Sequence, residues 1–218
     1  MLPSRFYNRS APEVAKDLVG KVIRRRHREL WLSAAIVETE AYGSDKGSHS
    51  YLGRTPSREA RWAPAGTIYM YYSMGGDSLN ISVRGDGHAV LIKAARPWLD
   101  KHSGMDSIEA MHKLNPGSKT KRKDNKLLAG QALLARALNL KVSEWNEQPF
   151  DRSNFYIEDI GYRPNSIIQC RRIGIPRHRD PDLLLRFVDK DHVKSATQNP
   201  LTKKEWMEGK DFLLLGLK

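Results

Sequence analysis

The residues best suited to chemistry lie in one short stretch, I-V-E-T-E-A-Y at positions 36–42, which His49 follows closely. The stretch begins as an apolar strand, and side chains alternate between the two faces of a strand. Glu38, Glu40 and Tyr42 should therefore share one face. A carboxylate withdrawn from water at the end of an apolar strand is suited to general-base catalysis. The alternative is that both glutamates are solvated charges at the end of an ordinary strand.

The overall charge points to a polyanionic partner. The 218 residues include 37 basic and 25 acidic side chains, which gives a formal net charge of +12. This balance favours nucleic acid as the partner, with an acidic membrane surface as the second choice. A hydrophobic fraction of 39% and a charged fraction of 28% fit a soluble protein with a core of its own. The length allows one or two domains.

Several other classes of site are not supported. The single cysteine, Cys170, excludes an internal disulfide and a multi-cysteine metal site, and it favours an intracellular location. The seven histidines are scattered without metal-ligand spacing, so no metal is expected. No apolar run reaches membrane-spanning length, and the first residues lack the features of a signal peptide. Phosphate-binding loops, dinucleotide fingerprints and nucleophile-elbow motifs are also missing from the sequence.

The remaining combination is a carboxylate, several aromatic residues and a histidine on a basic protein. It suits chemistry on a nucleobase. Aromatic faces can stack on a base that has been rotated out of a duplex, with a gain of about 1–3 kcal/mol per base. A glutamate can then activate the attacking water.

The pattern of hydrophobic residues predicts a single α+β domain over residues 1–218 with a mainly antiparallel sheet flanked by helices. A helix capped by Ser10 and Glu13 ends near Gly20. The loop 43–66 is rich in Gly, Ser, Pro and Arg, and a loop of this length is typically functional or disordered. Strands are predicted at 22–26, 31–39, 67–72, 79–83, 89–95, 155–160, 166–173 and 183–188. Helices are predicted at 104–114 and 127–140, with a short one at Thr202–Glu205 and an apolar docking segment at 212–217.

The motifs in their order along the chain resemble a known family. They are V-E-T-E-A-Y at 37–42, H-S at 49–50, T-P at 55–56, G-T-I-Y-M-Y at 66–71, N-I-S-x-x-G-D-G at 80–87 and R-I-G-I at 172–175. Together they resemble the alkyladenine type of 3-methyladenine DNA glycosylase. The resemblance implies hydrolysis of the N-glycosidic bond of alkylated or deaminated purines in duplex DNA, without strand cleavage. It also implies a curved antiparallel sheet, no metal or organic cofactor, and a monomer that acts on damaged double-stranded DNA.

The same resemblance implies roles for individual catalytic residues. Glu40 matches the glutamate that activates water. Lys93 stands where the family has an arginine that helps to hold the water, and the carbonyl of Ile173 would be a third contact to it. Glu38, by contrast, is expected to be structural or to lie at the surface.

Other positions match the family's base pocket and DNA contacts. Residues of the base pocket are Tyr42, His49 and Tyr71, with Asn80 matching the asparagine that disfavours normal guanine. Residues expected to contact DNA are Arg54, Thr55 and Met74. Because the chain is one residue shorter between Tyr71 and Asn80, Met74 takes the place of the family's intercalating tyrosine, as an apolar wedge.

Two questions stay open at the level of the sequence. A DNA- or RNA-binding module without catalytic activity is the alternative to an enzyme. Three basic clusters, at 21–28, 119–126 and 171–179, have the composition of solvated faces, and at least one of them should follow the DNA backbone. The sequence does not distinguish among the three.

Overall fold

The computed structural model describes residues 1–73, 75–202 and 206–216. The α-helices are α1 (Ser4–Tyr7), α2 (Ala11–Leu18), α3 (Met105–Leu114), α4 (Gln131–Ala137) and α5 (Val142–Trp145). The strands are β1 (Val22–His27), β2 (Leu30–Tyr42), β3 (Ile68–Ser73), β4 (Gly76–Ser82), β5 (Ala89–Pro97), β6 (Phe155–Glu158), β7 (Ser166–Cys170), β8 (Arg186–Asp189) and β9 (Phe212–Gly216). Short 3₁₀ helices lie at His49–Leu52, Pro56–Trp62, Asp124–Lys126, Lys190–Ser195 and Pro200–Thr202.

The strands form one antiparallel sheet whose central element is β2. The order along the main path is β3-β4-β5-β2-β8-β7-β9, and β1 pairs with both β2 and β6. On one side of β2, its first half pairs with β1 and its second half pairs with β8. On its other side, β2 pairs with β5. The predicted α+β class with a mainly antiparallel sheet is therefore confirmed.

Two apolar clusters cover the two faces of this sheet. The larger one packs α2 and α4 against the sheet through residues such as Leu18, Ile36, Ile81 and Leu134. The smaller one contains Val37, Ile168, Cys170, Val188, Ala196 and Phe212. Because both faces are covered, the second half of β2 is buried on either side, and any polar group placed there needs a partner.

Local sequence signals located most elements correctly. The capping box of Ser10 and Glu13 is formed at the start of α2. The glycine-rich turn at 85–87 joins β4 to β5, as expected for antiparallel neighbours. The predicted helix at 127–140 is shorter than expected, since only Gln131–Ala137 is α-helical. At the predicted helix Thr202–Glu205, the structure shows a 3₁₀ turn that ends at Thr202, and Glu205 lies outside the described residues.

The first basic cluster is a solvated face only in part, which corrects the expectation for residues 21–28: Arg26 and Arg28 are exposed, but Lys21 and Arg24 are buried. Lys21 is 4% exposed and forms an ion pair with Asp159 at 3.0 Å. Arg24 is 2% exposed, and its guanidinium binds Asp100 and Glu158. A buried cation of this kind needs its carboxylate partners, so these charges hold β1 to its neighbours.

Two further properties concern the described residues alone. No helix among residues 1–73, 75–202 and 206–216 has the length and hydropathy required to cross a membrane. Over the same ranges, the His, Cys, Asp and Glu side chains form no group of three that could hold a metal ion.

Candidate active site

An irregularity in β2 determines which side chains face the site. The pairing of β2 with β5 shifts register between Ile36 and Thr39. Thr39 faces α2, because its Oγ1 donates a hydrogen bond of 2.7 Å to the carbonyl of Ala15. By alternation along the strand, Glu38 and Glu40 lie on the opposite face. β2 is paired on both sides at Glu40, with β5 and with β8. The backbone from which this side chain extends is therefore held in position.

The Glu40 carboxylate is fully buried and receives hydrogen bonds on both oxygens. The Tyr42 hydroxyl donates to Oε2 at 2.7 Å, and the backbone N–H of Ile173 donates to Oε1 at 3.2 Å. The Nζ atom of Lys93 lies 3.6 Å from Oε2, and its side chain is 15% exposed. The structure thus brings Glu40, Lys93 and Ile173 together. The contact between Ile173 and Glu40 is made by the backbone N–H of Ile173, whereas the sequence prediction named its carbonyl.

Tyr42 is held as a hydrogen-bond donor. Burial and, next, the negative charge of Glu40 raise the pKa of the Tyr42 phenol well above its usual value of 10. The Arg172 guanidinium lies over the Tyr42 ring at 4.6 Å. Its Nη1 donates to the carbonyl of Ala41 at 2.9 Å, and its Nη2 binds Asp45 at 2.5 Å. Arg172 therefore clamps the end of β2 and the position of Tyr42.

His49 and Tyr71 form an aromatic wall beside this group. Their ring centroids are 4.8 Å apart at an interplanar angle of 67°. Burial, followed by the positive charges of Arg61 and Arg58, lowers the pKa of His49 to about 4. Burial raises the pKa of Tyr71 to about 12, and the charge of Glu40 contributes in the same direction. Near neutral pH the wall therefore consists of an uncharged imidazole and an uncharged phenol.

Asn80 lies in the same cross-strand row as Glu40. It pairs with Leu91 of β5, and Leu91 pairs with Glu40. Residues directly opposite each other in a sheet share a face, so Asn80 and Glu40 point to the same side, about 10 Å apart at two strand spacings. Asn80 is 2% exposed, and its Nδ2 has no hydrogen-bond partner among the described residues. A buried donor of this kind normally has a partner, so the Asn80 amide has hydrogen-bonding capacity for a water or a ligand.

Glu38 is structural, as expected. It forms a fully buried ion pair with Arg186, whose Nε lies 2.6 Å from its Oε1. The backbone N–H and the hydroxyl of Thr197 also donate to this carboxylate, each at 2.7 Å. Glu38 joins β2 and β8 to the segment after the 3₁₀ helix at Lys190–Ser195.

Two arginines of the site were missed at the sequence level. Arg172 belongs to a cluster that its composition assigns to a solvated face, and Arg61 lies within the predicted loop 43–66. Arg61 is 2% exposed; its Nε donates to the Gly87 carbonyl at 2.8 Å and its Nη2 to the Ser48 hydroxyl at 2.7 Å. It thereby ties the 3₁₀ helix that begins at His49 to the β4–β5 turn. The R-I-G-I motif at 172–175 was a sequence signal that could have identified Arg172 as a site residue, whereas no motif pointed to Arg61.

The residues predicted to contact DNA lie outside this group or outside the described chain. Arg54 is exposed and forms an ion pair with Glu59. Thr55 precedes the 3₁₀ helix Pro56–Trp62, and its hydroxyl lies 3.2 Å from that of Ser57. Met74, between β3 and β4, lies outside the described residues, so its predicted role as a wedge has no structural counterpart here.

Comparisons with known proteins show the family to which the chain belongs. A family model described as "Methylpurine-DNA glycosylase (MPG)" matches residues 5–193. A Pseudomonas aeruginosa (strain LESB58) protein is 49% identical over 217 residues, covering 99% of this chain and 90% of its own length. A Clostridium botulinum (strain Langeland) protein is 32% identical over 199 residues, covering 86% and 95%. Both relatives carry the name "Putative 3-methyladenine DNA glycosylase". The family match extends over most of the chain and includes every residue of the site just described, and the chain belongs to the methylpurine-DNA glycosylase family of DNA glycosylases.

Proposed function

We propose that this chain excises alkylated or deaminated purines from duplex DNA by hydrolysis, with Glu40 as the general base. The observation that supports this proposal is the buried Glu40 carboxylate beside the aromatic wall of His49 and Tyr71. The family makes the chain a DNA glycosylase. The proposal adds the flipped-out base, the mechanism and the class of lesion.

The proposed reaction is an attack of water on the sugar carbon. Glu40 takes a proton from the water, the water oxygen bonds to the anomeric carbon, and the electron pair of the N-glycosidic bond leaves with the base. An ionised carboxylate has about four lone-pair sites, and the contacts of Tyr42, Lys93 and Ile173 use three of them, so one site remains for a hydrogen bond from water. The carbonyl of Ile173 and the ammonium of Lys93 would orient this water. A general base of this type contributes typically about 10²–10⁴-fold.

The aromatic residues would hold the flipped base. Rotation of a nucleotide out of the duplex costs a few kcal/mol, and less for a damaged base. Stacking on Tyr42, His49 and Tyr71 offsets this cost, since each base–aromatic stack contributes about 1–3 kcal/mol. The lowered pKa of His49 keeps its ring neutral, so the base would stack on an uncharged imidazole.

Asn80 would discriminate against normal guanine. The Nδ2 of Asn80 is a buried donor without an acceptor among the described residues. Guanine carries a 2-amino donor that adenine and hypoxanthine lack. If the guanine 2-amino group faced the Nδ2 of Asn80 in a buried site, neither donor would have an acceptor. Each unsatisfied donor costs about 1–3 kcal/mol.

The remaining assignments complete the proposal. Arg54, Thr55 and Met74 would contact the DNA, with Met74 as an apolar wedge in the gap left by the flipped base. The protein would act as a monomeric, one-domain enzyme on damaged double-stranded DNA inside the cell, without a cofactor.

The contact of Lys93 with Glu40 favours a glycosylase that does not cleave the DNA strand. A lysine that forms a Schiff base with the sugar must be a free amine. The Nζ of Lys93 lies 3.6 Å from the buried Glu40 carboxylate, and this contact occupies the amine that would have to attack the sugar. We therefore expect hydrolysis of the base without a covalent enzyme–DNA intermediate.

The test is an excision panel on duplex DNA that contains 3-methyladenine, hypoxanthine or ethenoadenine. We expect free base from at least one substrate, an abasic site with an intact strand, and no enzyme–DNA adduct on treatment with borohydride. Binding to damaged and intact duplexes alike, without release of base from any substrate, would instead support a binding module without catalytic activity. An adduct lost in Lys93→Gln would refute the absence of strand cleavage.

A further inference from the structure

The second basic cluster differs from the first in having free charges. The segment K-T-K-R-K-D-N-K at 119–126 carries five basic residues and one acidic residue. Its four lysines are exposed. Within residues 1–73, 75–202 and 206–216, none of the five basic side chains forms an ion pair. In contrast, Lys21 and Arg24 of the first cluster are used internally.

A cavity opens at the base of this segment. It measures about 300 Å³ and is lined by residues 116–122 together with His112 of α3. The loop is folded tightly here, because a Cβ atom on Gly117 would lie 1.8 Å from the carbonyl oxygen of Thr120. Only glycine permits this close approach. The loop therefore has a defined shape around the cavity.

Two buried nitrogen atoms of the cavity lining have no hydrogen-bond partner among the described residues. His112 is 8% exposed, and its Nε2 lies 2.8 Å from Asp124 Oδ1, while its Nδ1 is buried and unpartnered. The Nε of Arg122 is also buried and unpartnered within the described chain. Buried polar groups of this kind normally have partners. Both residues line the cavity, so each has hydrogen-bonding capacity that the described part of the protein does not use.

We propose that this cavity and the lysines around it bind the phosphate backbone of duplex DNA, as a contact region separate from the base pocket. The inference rests on the proposed function, because it presumes that the partner is duplex DNA. Arg122 lines the cavity, and its guanidinium group matches the geometry of a phosphate. Lys119, Lys121 and Lys123 extend the positive charge beyond the cavity. Duplex DNA presents one negative charge per about 1.7 Å of its axis. A run of exposed cations can contact several of these charges in succession, whereas a single free phosphate ion would not require such a run.

The experiment measures affinity for an undamaged duplex as a function of salt. The test variant is Lys119→Gln/Lys121→Gln/Arg122→Gln. The matched control is Lys101→Gln/Arg152→Gln/Lys210→Gln, which removes the same charges from three exposed positions elsewhere. Each lost phosphate contact lowers the slope of log affinity against log salt by about 0.9. Between 50 and 200 mM salt, we expect the affinity of the wild type to fall about 40-fold more than that of the test variant.

The outcomes separate this proposal from the proposed function. Excision in a complex saturated with DNA should be unchanged in the test variant, and thermal unfolding checks that it is folded. A salt slope equal to that of the wild type, or an equal loss in the control variant, would overturn the proposal. Stabilisation by inorganic phosphate that the test variant loses, with an unchanged DNA slope, would assign the cavity to a free phosphate and likewise overturn it. If the wild type excises no base, a difference in slope still supports the contact region.

Discussion

Glu38 and Glu40 stand two positions apart on β2, and both are fully buried, yet their surroundings differ. Glu38 receives three hydrogen bonds of 2.6–2.7 Å from the guanidinium of Arg186 and from Thr197. The contacts of Glu40 extend from 2.7 Å at Tyr42 to 3.6 Å at Lys93. One of these donors, Lys93, is still in part accessible to solvent.

The difference shows that burial alone does not mark a catalytic carboxylate. A carboxylate saturated by short, fully buried hydrogen bonds is fixed and has little remaining capacity for a substrate or a water. Longer contacts leave that capacity, and a general base needs it to approach the proton that it takes. By this criterion Glu38 is assigned to the stability of the fold, and Glu40 is the residue that we propose as the general base.

The largest effect is expected from Glu40→Gln. Glutamine has the same shape but cannot take the proton of the water, so single-turnover excision should fall about 10²–10⁴-fold. Lesion affinity should be retained, because the pocket residues are unchanged. A variant with the excision rate of the wild type would show that Glu40 is not the base and would remove the contrast with Glu38.

Glu38→Gln should give the reverse pattern. It leaves the buried Arg186 without its counter-charge, and breaking such a pair typically lowers the free energy of unfolding by about 3–5 kcal/mol. The excision rate per folded molecule should change little. Denaturant titration and single-turnover kinetics at low temperature measure the two quantities. The double variant Glu38→Leu/Arg186→Met removes both charges and should recover part of the stability; a further loss would contradict the assignment of the pair.

Substitution of Lys93, which lies beside Glu40, should have a smaller effect on excision than Glu40→Gln. Lys93→Gln removes the positive charge 3.6 Å from the carboxylate, and we expect excision to fall about 10–100-fold, less than for loss of a well-aligned donor. Lys93→Arg keeps the charge and should retain most of the rate. Single-turnover rates at saturating enzyme separate this effect from weaker DNA binding. An equal loss in both variants would indicate that Lys93 acts by packing and not by charge.

The parts of the fold that follow local rules could be predicted from the sequence. The capping box of Ser10 and Glu13 and the turn at 85–87 depend on residues adjacent in the chain, and both are formed. The placement of Glu40 and Tyr42 on one face follows from strand alternation, and their hydrogen bond agrees with it. The roles of the site residues came from the family resemblance, and they stay predictions.

The contacts of the supporting arginines could not be predicted, because their partners are distant in sequence. Arg172 binds Asp45, which lies 127 positions earlier, and Arg186 binds Glu38 at a separation of 148. Arginine is mostly exposed in proteins, so composition favours a surface position until the partners are known. The same reasoning applies to Arg61, whose burial also sets the electrostatic environment of His49.

That environment gives the smallest effect, a dependence of stability on pH. The pKa of His49 is lowered in the folded state from 6.5 to about 4, so between these values the unfolded chain binds a proton that the folded chain does not. The free energy of unfolding should therefore decrease as the pH falls below about 6.5 and level off near pH 4. Because the imidazole is only partly buried, solvent screening limits the loss to about 1 kcal/mol at pH 5. Denaturant titrations at pH 7 and pH 5 on the wild type and on His49→Gln measure it. The variant lacks the titrating group and should lose less stability; parallel curves would mean that Arg61 and burial do not hold His49 neutral, and that the aromatic wall beside Glu40 carries a charge at mildly acidic pH.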